Sequence, residues 1–295
     1  MISTARRVGR LAHHLARCNS SASSELIAAP ELAAGSNIQC DLFPYTNGKG
    51  HGCVLTLGKA PVNSLNEGFF DEINATCESL VADERVSSVV LASSFPKVFS
   101  AGLDFTPGVL VEPDEARFCA MWSAFQRALM ALHLLPMPLV AAINGVAMAG
   151  GTVLSLTADH RFVTPNVLMG LNEASIGMVP PRWLDLMLGD VVGRQRAEIM
   201  LVRGQMYKGG AAAVEAGLGD ECADDDDLGE LRARAMRKAE ELAAQFTPQS
   251  AVLKQRFRAG AAAEATDAAV LETWEYVRAE PFQNFVRAFL SKGKK

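Results

Sequence analysis

Three short stretches of the 295-residue chain carry residue types that fit together as a reaction site. The first is Phe99-Ser100-Ala101-Gly102-Leu103-Asp104, where alanine and glycine keep side chains clear so that a ligand can approach the backbone. The second is Ala149-Gly150-Gly151, directly ahead of an apolar helical stretch. The first amides of a helix have no intrahelical acceptor and face outward. Two such N–H groups aimed at one point make an oxyanion hole. The third stretch, Gly170 to Met178, sets one carboxylate, Glu173, among small and apolar neighbours. Desolvation in such surroundings raises a carboxyl pKa, as a base working near neutral pH requires.

The other reactive side chains read differently. Asp104 follows the first glycine turn and reads as a loop or helix cap, and Asp159, where a helix passes into a strand, reads as structural. His133 and His160 have no partners in a triad pattern, and Ser100 lacks the GxSxG frame of a serine hydrolase. Six cysteines are scattered without CxxC or Cys/His spacing, so neither disulfides nor zinc are implied. Cys77 and Cys119 fall on apolar helix faces. The acidic run Asp224 to Asp227 reads as a helix start, where carboxylates favour the dipole.

Alternating strand and helix signals position the three stretches. GCVLTL (52–57), SVVL (88–91), PLVAAING (138–145) and RFVTP (161–165) read as strands. A helix is expected from a Ser64/Glu67 capping box through Val81, and another from Asp114 to Leu135 between two prolines. GTVLSLTA, after the glycine pair, reads as a third. This pattern predicts an α/β fold with a mostly parallel sheet covered by helices. From about Asp185 the chain reads as helical, including a helix opened by Thr247 and Pro248. After AGLDF the residues Pro107 and Gly108 delay or interrupt any helix.

Residues 1–24 hold Arg6, Arg7, Arg10 and Arg17 and no acid, the bias of an organelle transit peptide. Residues 25–50 read as a loosely ordered lead-in. Removing the four arginines makes a chain of formal charge −5 more acidic, which disfavours nucleic-acid binding. No apolar run approaches the roughly 18 residues needed to span a membrane.

From about residue 50 to its end the chain resembles the crotonase, or enoyl-CoA hydratase/isomerase, superfamily. The resemblance rests on PVNSL (61–65), VFSAGLD (98–104), AAINGVAMAGG (141–151), ADHRF (158–162), GLNEASIGMVPP (170–181) and EAGLGDE (215–221), in family order. PVNSL, FSAGLD and GLNE together look most like the mitochondrial 3,2-trans-enoyl-CoA isomerase branch. The resemblance implies a spiral of ββα units over residues 51–204 and a C-terminal helical region, 205–295, that assembles a homotrimer. It also implies a mitochondrial matrix location and an enoyl-CoA substrate; no cofactor is expected, coenzyme A being part of the substrate. By position, Glu173 matches the catalytic glutamate, and the amides of Leu103 and Gly150 match the oxyanion donors. Ala101, Gly102, Leu103, Asp104 and Phe105 match the segment lining the substrate cleft. Hydratases of the superfamily carry a second glutamate where this chain has Val153, which points to isomerisation. Dienoyl-CoA isomerase, acyl-CoA thioesterase and a non-catalytic acyl-CoA binding protein are the alternatives. Leu171, Ile176, Met178 and Trp183 are core residues or pocket wall, and the basic ending SKGKK reads as a solvated tail.

Overall fold

The computed structural model describes residues 36–292. The arginine-rich segment 1–24, residues 25–35 of the lead-in and the last three residues of the basic ending lie outside the described residues.

Two sheets form the frame. The larger has six strands in the order β1 (Ile38–Pro44), β2 (His51–Leu57), β3 (Val86–Ser93), β5 (Leu139–Ile143), β7 (His160–Val163) and β10 (Glu221–Cys222). Its first pair is antiparallel and the rest are parallel. The smaller has four strands in the order β4 (Val98–Ser100), β6 (Val146–Met148), β8 (Leu168–Gly170) and β9 (Met206–Lys208), of which the first three run parallel. The mostly parallel, helix-covered α/β architecture expected from the sequence is present.

Helix α1 (Glu67–Ala82) buries Phe69, Phe70, Ile73, Cys77 and Leu80, and α2 (Glu115–His133) buries Phe118, Trp122, Phe125 and Leu129 against it. The Phe70 and Phe125 rings meet at 4.9 Å. These spacings of three and four residues are what one apolar helix face requires. Helix α3 (Gly150–Leu156) is buried along its whole length. Helices α4 (Arg182–Val192), α5 (Arg194–Arg203), α6 (Gly210–Glu215), α7 (Leu228–Gln245), α8 (Pro248–Glu264), α9 (Asp267–Val277) and α10 (Glu280–Lys292) complete the described chain. Leu231, Ala235 and Ala239 of α7 cover the far face of the large sheet, against Val54, Val90, Val140 and Phe162. Thr247 caps α8 as expected, its hydroxyl accepting the Ser250 amide.

Several expectations need correction. The cap of α1 is Asn66, whose side chain accepts the Phe69 amide, and Ser64 instead accepts a bond from Lys59. The lead-in contains β1, bonded along its length to β2: Ile38 and Cys40 bury alternate side chains on one face, and Phe43 packs on the other. The C-terminal region is not purely helical, since β9 and β10 return to the two sheets. Gly193, at φ 85°, divides α4 from α5 where the sequence reads as one run. Cys119, half-buried, packs against the core from the apolar helix face as expected.

Candidate functional site

The three chemistry-bearing stretches leave the C-terminal ends of three adjacent parallel strands. Strand β4 runs into Ala101–Leu103, β6 into Ala149–Gly150, and β8 into Asn172–Glu173. The registers Val98↔Val146↔Leu168 and Met148↔Gly170 put those exits side by side. The C-terminal edge of parallel strands is where α/β sheets present loops to ligands.

The first two turns are in contact. A Cβ added to Gly102 would stand 2.9 Å from Met148 O and 3.4 Å from Gly150 N, and Gly102 has φ +85°. Around it almost every amide is taken: Ala101 N donates to Val62 O at 3.0 Å, Gly102 N to Ser100 Oγ at 3.2 Å, and Asp104 N to Leu65 O at 2.8 Å. The amide of Leu103 has no acceptor among the described residues. The amide of Gly150, first in α3, likewise has none. Ala149, just before it, holds φ 46° and ψ −110°, a strained backbone for an L-residue that its surroundings must enforce. The two amides matched to oxyanion donors are therefore both free and lie on adjoining turns.

Glu173 opens a 3₁₀ turn, Glu173–Ile176, ended by Gly177 at φ 81°. Its side chain is 8% exposed and Oε2 has no hydrogen-bond partner. Burial pushes its pKa up to about 7, and a bond from its own backbone amide opposes this only in part. A carboxyl so placed exchanges a proton readily near neutral pH. Its segment is fastened to the second turn: Ala149 N donates to Gly170 O at 2.9 Å, and Gly170 N donates to Thr152 Oγ1 at 2.8 Å.

The remaining matched positions lie nearby. Asp104 is 40% exposed and stands 3.6 Å from Lys59 Nζ, so it is a solvated loop carboxylate. Phe105 stacks on Phe289 of α10 at 5.0 Å. A cleft of about 430 Å³ beside the first turn is lined by Leu65, Asn66, Asp104, Thr106, Arg117 and Met121 among others. Glu173 and Gly150 do not line it. No helix follows Asp104 directly; residues 104–111 form turns, with Gly108 N bonded to Val111 O at 2.7 Å.

Leu171, Met178 and Trp183 are core residues, and the Trp183 indole donates to Gln126 at 2.9 Å. Ile176 is half-buried. Asp159 is structural: it accepts from Lys254 at 2.5 Å and Arg258 at 2.6 Å. His133 is pushed down to about 3 by burial and then by the Arg258 and Lys254 charges, which removes it as a base near neutrality. His160 stands 3.1 Å from Glu221. Within the acidic run Asp227 caps α7, Asp226 binds Asn166, and Asp224 pairs with Arg234. Among the described residues no group of three His, Cys, Asp or Glu side chains is placed to hold a metal ion.

Sequence reasoning missed Thr152, Asn63 and Ser100 as organisers of the turns. The available signal was their polarity inside otherwise apolar or small-residue stretches.

Residues 49–294 match the family model described as enoyl-CoA hydratase/isomerase. The chain is 36% identical over 170 residues to human mitochondrial enoyl-CoA delta isomerase 1, covering 57% of this chain and 55% of that protein. To the rat protein of the same name it is 34% identical over 177 residues, covering 59% and 60%. The matched stretch thus spans less than two thirds of these curated relatives. The crystal structure of human mitochondrial delta3-delta2-enoyl-CoA isomerase superposes with a TM-score of 0.79 at 27% identity, covering 88% of this chain and 98% of that one.

Proposed function

Because the chain belongs to the enoyl-CoA hydratase/isomerase family, we propose that it is an isomerase converting 3-enoyl-CoA to 2-trans-enoyl-CoA with Glu173 as its single proton carrier. The carrying observation is one buried carboxyl with an unpartnered oxygen and a pKa near 7, on a turn tied to the free Gly150 amide. Glu173 removes a proton from C2, and the electrons spread into a dienolate. Its thioester oxygen is received by the N–H groups of Leu103 and Gly150. The protonated Glu173 then returns the proton at C4, so the reaction is proton-neutral and needs no cofactor.

Removing one oxyanion donor typically costs about 2.7–4 kcal/mol of barrier, so both turns matter nearly as much as the base. Hydration would need a second carboxylate to help activate water. The corresponding position is Val153, which is 1% exposed and apolar. The Ala101–Phe105 segment and the adjoining cleft are the proposed bed of the acyl-CoA. A mitochondrial location is supported by the arginine-rich first 24 residues and by the names of the relatives. Assembly into a homotrimer through the C-terminal helices is supported by Val252, Leu253 and Phe257 of α8, which leave apolar surface exposed, Phe257 at 80%.

The test incubates purified protein with 3-enoyl-CoA and, separately, with 2-enoyl-CoA. Conjugated product should form from the first, and hydration of the second should be at least about a hundredfold slower, a gap of ~2.7 kcal/mol in barrier. Hydration at a comparable rate would sink the single-carboxylate reading.

A further inference from the structure

The Leu103 amide is free because its neighbours are not, and a buried polar brace arranges this. The Gly102 amide donates to Ser100 Oγ at 3.2 Å, and that hydroxyl donates onward to Asn63 O at 2.7 Å. Asn63 is itself fixed. Its Nδ2 group donates to Ser93 Oγ at 2.9 Å and to Phe99 O at 2.9 Å, and its backbone holds φ 49°. Ser93 Oγ donates to Val98 O at 2.6 Å, closing the brace onto β4. Asn63, Ser93 and Ser100 have no measurable exposure. Ser93 and Ser100 each both donate and accept, and buried hydroxyls used in this way favour one backbone geometry; Asn63 Oδ1 is the atom of the brace that has no partner.

We propose that Ser100, anchored on Asn63, is a positioning residue of the reaction: by capturing the Gly102 amide it aims the Leu103 amide at the substrate's thioester oxygen. The inference rests on the function proposed above. Ser100 touches no reacting atom. It acts by holding the 101–102 peptide through its N–H, while the carbonyl of the 102–103 peptide is held separately by the Leu65 amide at 2.8 Å, so the two bonds together set the direction of the Leu103 N–H. Without the hydroxyl, the Gly102 amide becomes a second free donor at the same turn. The thioester oxygen then meets two poorly aimed N–H groups in place of one aligned one.

The test binds octanoyl-CoA, carrying ¹³C at the thioester carbonyl, to the full chain and records the carbonyl stretch by difference infrared spectroscopy. Wild-type protein should lower the stretch relative to free ligand. Ser100→Ala should lose about half or more of that displacement, with kcat down about tenfold to a hundredfold and KM within about twofold. Ser100→Cys, which keeps a weak donor and acceptor, should fall between. A folded Ser100→Ala protein with wild-type carbonyl polarisation and kcat overturns the proposal while leaving the assigned reaction standing. Should Ser100→Ala fail to fold, Ser100→Cys decides: unchanged polarisation overturns the proposal and reduced polarisation supports it. If wild-type protein binds octanoyl-CoA without displacing the stretch, or does not bind it, both the functional reading and this inference fall.

Discussion

The amide of Gly170 donates to the hydroxyl of Thr152 at 2.8 Å, and the same hydroxyl donates to Ala147 O at 2.5 Å. One side chain thus ties the strand that leads to Glu173 to the strand that leads to Gly150. Thr152 has no measurable exposure, so water cannot replace it. Thr152→Val keeps the shape and leaves the Gly170 amide buried without an acceptor, which should cost about 1–3 kcal/mol of stability. Loosening the spacing between base and oxyanion donor should also lower kcat, and Thr152→Ser should restore most of both losses. Urea denaturation and steady-state kinetics on the two variants check this; a Thr152→Val protein with unchanged kcat would show the tie to be irrelevant to the chemistry.

Gly177 ends the Glu173 turn against the last helix. At φ +81° a side chain is strained, and a Cβ would lie 2.8 Å from Pro281 Cβ and 3.0 Å from Phe282 N. Gly177→Ala must therefore push α10 outward or twist the Glu173 turn. The expected cost is about 1–3 kcal/mol in stability. Because α10 also carries Phe289 against Phe105, disturbance at one end should reach the proposed substrate segment at the other. A rise in KM together with a fall in kcat is the predicted signature; a change in thermal midpoint alone would confine the effect to folding.

These relationships explain what was legible beforehand. Glu173 stood out as a lone carboxylate among small and apolar residues, whereas Leu103 and Gly150 were marked as donors by the family resemblance, since glycines ahead of a helix serve tight packing equally well. Their convergence was not legible, since β4, β6 and β8 have three residues each, too short for a period-two pattern to register. Strand β1 escaped notice because its alternation covers only Ile38 to Asp41 before Phe43 turns to the opposite face and Pro44 ends the strand. The Ser64 capping box matched in spacing, but Asn66 stood two residues later with a better acceptor, and only three-dimensional placement of Lys59 and Asp104 explains what Ser64 does. Asp159 read as structural from its helix–strand junction, whereas its partners lie 95 and 99 residues away in sequence.

Those partners make Asp159 the anchor of α8. Its two oxygens are shared between Lys254 and Arg258, whose side chains are 7% and 15% exposed, and one oxygen also accepts the Leu139 amide at 2.7 Å. Asp159→Asn removes the negative charge and leaves two buried cations facing an amide. Breaking a buried ion pair in this way costs about 3–5 kcal/mol. Denaturant midpoints should fall accordingly, and α8 backbone amides should lose protection in hydrogen exchange ahead of those in β5. Wild-type stability in Asp159→Asn would mean that α8 is held by its apolar contacts with the body.

In the proposed reaction the carboxyl of Glu173 links catalysis and stability through one proton. Its folded pKa is raised from 4.5 to about 7, chiefly by burial. For an acid shifted upward, the folded state holds the proton more tightly than the unfolded state. Stability is therefore undiminished below pH 4.5, falls as pH rises towards 7, and is lower by about 3 kcal/mol above that. Catalysis runs the other way, because the base must be deprotonated: kcat/KM should rise with pH to a plateau, with an apparent pKa near 7. Glu173→Gln separates the two effects. It should abolish isomerisation and, being neutral at every pH, remove the pH-dependent loss, so that the variant gains stability relative to wild type at pH 8 but not at pH 4. Parallel denaturation curves and pH–rate profiles provide the measurement. If the two proteins show the same stability difference at both pH values, the proton is not held where the burial of this carboxyl puts it, and if Glu173→Gln still isomerises, another group carries the proton between C2 and C4.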